Sequence, residues 1–562
     1  MDKYDKNKLV LENYENEFSF KRKKSNLNIT FNRIAFIFFV FLFISVIYSV
    51  KFFYLGSLNS KIQKDIFVND KLSYRADIVD NNGDFLAKTI NTISVGINPN
   101  FIIDKKRFLI NMQLIFPQKR FDIIKKKING DNFFYLEKQV GQEKYEKLRL
   151  LGDKSIIFEK KLSRIYPQKN LFSHIIGQID DDNNGVSGIE NYYNHELKTI
   201  KKKLELTVDT DIQFLIREEL IKFQEIFRSV GSGAILMNVN NGNILSMISL
   251  PDFNLNKRDN ISDVNYINRV TKGVYELGSV FKTFTIAAGF HEGLIEPETK
   301  FLNLKKKLKC GKSLIGEYDD KIPQDLTVEE ILIRSGNIGS VRIGQKLEID
   351  KLKSFLGKIG ILERIDFDIE EVGEPIPFRW GKCKLATVSF GHGITTTALQ
   401  LVKGYAIITN GGFDIKPTLI KKNLQQKIES KRIVKKGVSE KINLILRKVV
   451  STKEGTAGLA NIEGYEVGGK TGTAQKIKNG NYSSAKINTF VAVFPTSKPK
   501  YVLMVLLDEP KTSKNYVYNY RNKEGSFKGT PFNTAGWTSA EIAGKIIEKI
   551  GPILATKYME IN

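Results

Sequence analysis

The sequence predicts an α+β protein held to a membrane by one N-terminal helix. Three observations carry the prediction. A long uncharged apolar run lies near the N-terminus, strand-and-turn patterns stand at both ends of the segment from about 230 to 555, and helical patterns fill the space between. That order suggests one antiparallel sheet covered by helices. The chain has 562 residues, so at roughly 100–200 residues per domain it holds two to four folded units. Hydrophobic residues make up 41% and charged residues 27%, which excludes a wholly disordered chain.

The apolar run is Ile34 to Val50, 17 uncharged residues, followed after Lys51 by Phe52, Phe53, Tyr54 and Leu55. Lys51 can extend its long stem to the headgroups, so the two pieces together approach the roughly 20 residues that span a bilayer. The run exceeds the usual h-region of a cleaved leader and no small-x-small site follows, so it reads as an uncleaved anchor. Residues 1–33 carry eight Lys/Arg, including the cluster Lys21 to Lys24, against five acids. This asymmetry keeps the N-terminus cytoplasmic and puts the residues from about 56 onward outside the cytoplasmic membrane.

Charge alone raises another partner. Lys and Arg total 87 against 62 Asp and Glu, a formal net charge of +25, which suits nucleic acid or an anionic surface. The anchor removes nucleic acid from consideration. The two Cys (Cys310, Cys383) and four His fall in no zinc-ligand spacing, so acid–base chemistry must rest on other groups. A Cys310–Cys383 disulfide is open to an exported chain, but the sequence carries no distance between them.

Residues 56–225 read as short strands and Lys-rich helices. Val79-Asp80-Asn81-Asn82-Gly83-Asp84 marks a turn between strands, and the Lys125–Lys127 and Lys201–Lys203 runs read as solvated faces. From about 230 the pattern changes. Ala234–Met237 and Ile244–Ile248 flank Asn240-Asn241-Gly242-Asn243 as a hairpin. Helices are predicted over 280–293, 328–346 and 396–409, a second hairpin over 490–507, and a closing helix over 540–550.

Three short motifs carry the chemistry. Ser279-Val280-Phe281-Lys282 follows Gly278 at the start of an apolar helical run. In a helix beginning there, Lys282 lies one turn on from Ser279 on the same face. A serine needs an adjacent base to attack, and a neutral lysine can be that base if burial or a second cation lowers its pKa. Alone the spacing is weak, since Ser483–Lys486 and Ser497–Lys500 repeat it among turn residues. The second motif, Ser335-Gly336-Asn337, offers a proton relay and an amide, or simply a helix cap or turn. The third, Lys470-Thr471-Gly472-Thr473, offers a cation, two hydroxyls for a carboxylate, and glycines that let a ligand lie against a strand. Gly464 with Gly469-Lys470-Thr471 also satisfies the phosphate-loop pattern. A strand ending in a turn, instead of a helix, follows it, and that context excludes the nucleotide reading.

In this order, the three motifs match the set found in penicillin-binding proteins and class A β-lactamases. The chain resembles a class B penicillin-binding protein, a monofunctional peptidoglycan D,D-transpeptidase. Further landmarks are Arg75-Ala76-Asp77-Ile78-Val79-Asp80-Asn81-Asn82-Gly83, Arg164-Ile165-Tyr166-Pro167, Gly185 to Glu190, and Phe390-Gly391-His392-Gly393. Ala76 and Asn81 depart from the family pattern, and Ala398 stands where Pro is usual. The ending Gly536-Trp537-Thr538-Ser539-Ala540 looks like the division-type subgroup, FtsI.

The resemblance implies a cytoplasmic tail (1–33), an anchor (34–55), an elongated non-catalytic pedestal or dimerisation module (56–225) and a penicillin-binding, β-lactamase-like transpeptidase domain (226–555). It implies that Ser279 attacks the D-Ala-D-Ala carbonyl of a stem peptide, with Lys282 as base and Ser335 as proton relay. Asn337, Thr471, Gly472 and Thr473 would bind substrate, Lys470 would keep Lys282 neutral, and the N–H groups of Ser279 and Thr473 would form the oxyanion hole. It implies no metal and no organic cofactor. Expected partners are stem peptides, β-lactams, the membrane through one helix, and a lipid-linked glycan polymerase of the FtsW-like type among other division proteins. An elongation-type transpeptidase, and a β-lactam sensor or scaffold that acylates without turnover, remain open at this stage.

Overall fold

The computed structural model describes residues 35–54 and, apart from residues 201, 258–263, 312, 423–430, 479–480 and 522–523, residues 74–558. The basic cluster Lys21–Lys24, Lys201 and the turn at 479–480 therefore lie outside the described residues. The N-terminal segment and the body from Tyr74 onward are separate units. In the first, helix α1 (Ala35–Tyr54) is 20 residues long, about 30 Å at 1.5 Å per residue, which matches a bilayer core. Its aromatic side chains, Phe36, Phe39, Phe41 and Phe43 among them, are exposed, as a lipid-facing helix requires. The protein is membrane-anchored.

The body begins with a mixed sheet. Strands β1 (Ile78–Val79), β2 (Phe85–Ile97), β3 (Phe134–Val140), β4 (Ile156–Ile165) and β5 (Leu204–Glu205) form it, with long β2 pairing β1, β3 and β4. The predicted turn at 80–84 joins β1 to β2. Asp80 holds it by accepting the N–H groups of Asn82 and Asp84 at 2.9 and 2.8 Å. This module has two cores. Val95, Ile97, Phe108, Met112, Phe116 and Ile128 form an apolar cluster of their own. Ala76, Ile78, Leu86, Tyr166, Phe172 and Ile189 instead join the large core of the following segment.

Helix α2 (Thr210–Ile226) opens that segment, its start capped by Asp209, whose carboxylate accepts the N–H groups of Asp211 and Ile212. The hairpin β6 (Gly231–Asn238) and β7 (Ile244–Leu250) follows as predicted. Helix α3 (Phe281–His291) comes next, preceded by a short 3₁₀ turn, Gly278–Val280. A second hairpin, β8 (Lys307–Cys310) with β9 (Ser313–Gly316), leads to helix α4 (Val328–Ile333), which begins with a Thr327–Glu330 capping box. The sequence predicts one helix over 328–346. The structure divides it: Ser335 adopts a left-handed backbone (φ 59°) between α4 and α5 (Asn337–Lys358). A second left-handed residue, Glu348 (φ 65°), breaks α5.

Helices α6 (Lys382–Val388), α7 (Ala398–Thr409) and α8 (Lys436–Ser451) precede strands β10 (Gly468–Lys478), β11 (Asn481–Phe494) and β12 (Tyr501–Asp508), and α9 (Ser539–Tyr558) closes the chain. The central sheet has the order β10–β11–β12–β6–β7, antiparallel throughout. Every residue of β12 is buried, which explains why it reads as a continuous apolar run with no alternation. Helices α2 and α9 pack on each other and on one face of the sheet, and α7 packs on the strands from the other. Strand β10, carrying the third motif, is left at the edge. Cys310 and Cys383 form a disulfide, Cα atoms 5.4 Å apart, tying the β8–β9 hairpin to α6.

Candidate active site

Close backbone packing at Gly278 sets up the site. Gly278 is left-handed (φ 64°), and a Cβ there would stand 2.8 Å from the carbonyl oxygen of Thr473. A Cβ on Gly472 would stand 2.2 Å from the carbonyl oxygen of Leu277. Only glycine at both positions lets the 277–280 turn lie directly on β10. Ser279 sits on that turn, half-buried. Behind it, the Tyr405 hydroxyl donates to the carbonyl of Val280 at 2.8 Å and pairs with Thr283 at 2.9 Å, which fixes the start of α3.

The three motifs converge here although 56 and 135 residues of chain separate their first residues. Lys282 and Lys470 are both 0% exposed. Between them stands the Ser335 hydroxyl, which accepts from Lys282 Nζ at 3.1 Å and from Lys470 Nζ at 2.9 Å. Lys282 Nζ also donates to Asn337 Oδ1 at 2.7 Å and to the Ser335 carbonyl at 2.5 Å. The left-handed backbone of Ser335 presents its hydroxyl and its carbonyl to one amine, a strained conformation of the kind found at functional sites.

Neither lysine has a carboxylate within ion-pair distance among the described residues. Burial therefore dominates, pushing Lys282 down to about 7, with the field of Glu317 pulling the other way. Lys470 lies well below its ordinary value, from burial first and repulsion by Lys282 second. His392, from the loop over Gly278, is held at about 4 by burial and by Lys282, so it is neutral at ordinary pH.

Of the substrate-binding candidates, Thr471, Gly472 and Thr473 lie on edge strand β10 and Asn337 starts α5. Thr471 Oγ1 pairs with Thr456 Oγ1 at 2.8 Å, and Thr473 Oγ1 accepts the N–H of Ala535 at 3.0 Å. Asn337 donates its amide to the Gly316 carbonyl at 2.8 Å. One expected contact is not made: Ser279 has no side-chain hydrogen bond among the described residues, and Lys282 Nζ faces Ser335 and Asn337 instead. Catalytic contacts commonly close only when substrate is bound. The decoy Ser483–Lys486 lies in strand β11, not in a turn, and Ser497–Lys500 in the turn after it; neither lies on a helix. Two contributors carried no sequence signal: Thr456, in a loop 15 residues before Thr471, and Glu317, just after the β8–β9 hairpin.

Comparison with known proteins places the chain in a family. Residues 232–527 match the penicillin-binding protein transpeptidase domain, and residues 70–222 the penicillin-binding protein dimerisation domain. The probable peptidoglycan D,D-transpeptidase FtsI of Caulobacter vibrioides is 30% identical over 499 residues, covering 86% of this chain and 82% of that protein. The peptidoglycan D,D-transpeptidase FtsI of Buchnera aphidicola subsp. Schizaphis graminum is 27% identical over 549 residues, covering 89% and 94%. Stage V sporulation protein D of Bacillus subtilis is 28% identical over 499 residues, covering 78% and 74%. Among solved structures, penicillin-binding protein 3 of Mycobacterium tuberculosis with aztreonam shares the fold, with a TM-score of 0.65 at 20% identity over 87% of this chain and 97% of that one.

Proposed function

The chain belongs to the class B penicillin-binding proteins of the FtsI type, and from that premise we propose that it cross-links stem peptides at the division septum through an acyl-enzyme on Ser279. It is a serine-type peptidoglycan D,D-transpeptidase that binds stem peptides and β-lactams. The observation that carries the residue assignment is the Ser335 hydroxyl held between two buried, carboxylate-free lysines beside the turn of Ser279.

In the proposed reaction, Lys282 in its neutral form, having given up one of its three donated hydrogen bonds, takes the Ser279 hydroxyl proton as Oγ attacks the penultimate D-Ala carbonyl. The Oγ–C bond forms, the C–N bond to the terminal D-Ala breaks, and the departing amine takes a proton through Ser335. An acceptor amine from a neighbouring strand then attacks the ester; the C–Oγ bond breaks as the cross-linking amide forms, and the proton lost by the acceptor amine passes to Ser279. Lys282 and Lys470 are joined through one hydroxyl, so they titrate as a coupled pair, and a single proton shared along Lys282–Ser335–Lys470 suits both steps. The N–H groups of Ser279 and Thr473 are the oxyanion donors, each worth about 10²–10³ in rate. Thr471 and Thr473 take the terminal carboxylate, Gly472 keeps the strand close, and Asn337 takes the substrate amide. The free edge of β10 supports this reading, because an extended peptide can add to it as a further strand.

The N-terminus is proposed to be cytoplasmic and the body periplasmic. Residues 56–225 are proposed as the non-catalytic module and 226–555 as the catalytic domain. An FtsW-like glycan polymerase and other division proteins are the proposed partners. Labelled penicillin should form a covalent adduct with the full-length protein, and Ser279→Ala should abolish it; an adduct that persists refutes the assignment. Depletion should give filaments. Spherical cells would instead mark an elongation enzyme.

A further inference from the structure

Helix α5 starts at Asn337 with Gly336 at its N-cap, so no side chain of its own caps it. A carboxylate from elsewhere does. Glu317 Oε2 accepts the N–H of Asn337 at 2.7 Å, and Oε1 accepts the N–H of Ile338 at 2.9 Å. Two of the free N–H groups at the helix start are thus satisfied, by a negative charge at the positive end of the helix. The preceding residue, Gly316, takes the Asn337 amide N–H through its carbonyl at 2.8 Å. With that N–H engaged, Asn337 Oδ1 is left facing Lys282 Nζ at 2.7 Å. Residues 316 and 317 therefore decide both where Asn337 stands and which end of its amide the lysine meets.

We propose that Glu317 is a positioning residue of the Ser279 centre, holding the Ser335-Gly336-Asn337 turn against Lys282 by capping the helix behind it. This inference rests on the assignment of Ser279 and Lys282 above. Glu317 acts on the lysine through space as well. The groups facing Lys282 are Ser335 and Asn337 from the turn, Lys470 across the Ser335 hydroxyl, and His392 from the loop over Gly278. None of these is an anion, whereas the field of Glu317 opposes burial and raises the pKa of Lys282. The sign follows. If the carboxylate is removed, Lys282 loses its proton at lower pH, so the low-pH limb of acylation moves to lower pH. A residue that merely supports the fold would lower the rate without moving that limb.

The test uses full-length protein in detergent, with the rate of acylation by labelled penicillin followed against pH for the wild type, Glu317→Gln, Glu317→Asp and Ser279→Ala. Glu317→Gln keeps the shape of the side chain and removes its charge. It should acylate about tenfold more slowly on the high-pH plateau, the scale of one lost helix cap, with its low-pH limb displaced downward. Glu317→Asp should recover much of the rate and restore the limb. An unmoved limb, or a wild-type plateau rate, in Glu317→Gln overturns the proposal while leaving Ser279 in place. An adduct in Ser279→Ala overturns the underlying assignment and this inference with it.

Discussion

Among the described residues, two clusters each bury a pair of cations, and they do so in opposite ways. In the N-terminal module, Arg75 and Arg164 meet one carboxylate, Glu190, at 2.5 and 2.7 Å, with all three side chains essentially inaccessible. Both guanidiniums also donate to backbone carbonyls, Arg75 to Glu190 and Arg164 to Ala76. In the catalytic segment, Lys282 and Lys470 are equally buried but, among the described residues, meet only a hydroxyl, carbonyls and an amide. A paired buried charge stays charged and ties segments together. An unpaired one is pushed toward neutrality, and a neutral lysine is a base. The same physical cost yields scaffold in one region and, in the proposed mechanism, reactivity in the other.

The comparison can be broken at several strengths. Lys282→Ala should act first and hardest, lowering penicillin acylation about 10²–10⁴-fold while the protein stays folded by circular dichroism. Glu190→Gln leaves two buried guanidiniums without a counter-charge, so it should cost about 3–5 kcal/mol of stability in a denaturant titration. Its acylation rate per folded molecule should be unchanged; a loss there would make the cluster part of the chemistry. Reduction of Cys310–Cys383, which closes a loop of 73 residues, should cost about 4 kcal/mol on the chain-entropy account, read as a lower denaturation midpoint.

Smaller in scale is the pH response. The proposed base, Lys282, must be neutral to act and lies at about 7, so acylation should fall about tenfold per pH unit below 7 and level off above it. A rate flat from pH 5 to 8 would return the base assignment to another group. At the weak end, Lys125→Ala or Lys126→Ala, on an exposed face, should stay within about 0.5 kcal/mol of wild type. That sets the value of a cation that is neither buried nor paired.

Much of this was legible in the residues. The membrane helix, the β6–β7 and β11–β12 hairpins and helix α7 lie where apolar patterning and turn residues predict them, because those signals act over a few residues. The helix predicted over 328–346 shows where such signals stop. Nothing in the pattern around Ser335 marks a left-handed backbone, and that single conformation splits the helix and turns the hydroxyl toward both lysines. Glu317 and Thr456 were illegible for a related reason. Each reaches its partner from a loop, and loops have no periodicity to read. The two cysteines could be named but not paired until the fold brought their Cα atoms to 5.4 Å.

By itself, the sequence determined the anchor, the β6–β7 and β11–β12 hairpins and the three motifs proposed to carry the chemistry, for which residue type and near-neighbour spacing suffice. The tertiary structure alone decided that motifs far apart in the chain share one hydroxyl, and that Lys282 and Lys470 sit where water cannot hold their charge. Protonation state depends on solvation and on through-space partners, and neither exists until the chain has folded.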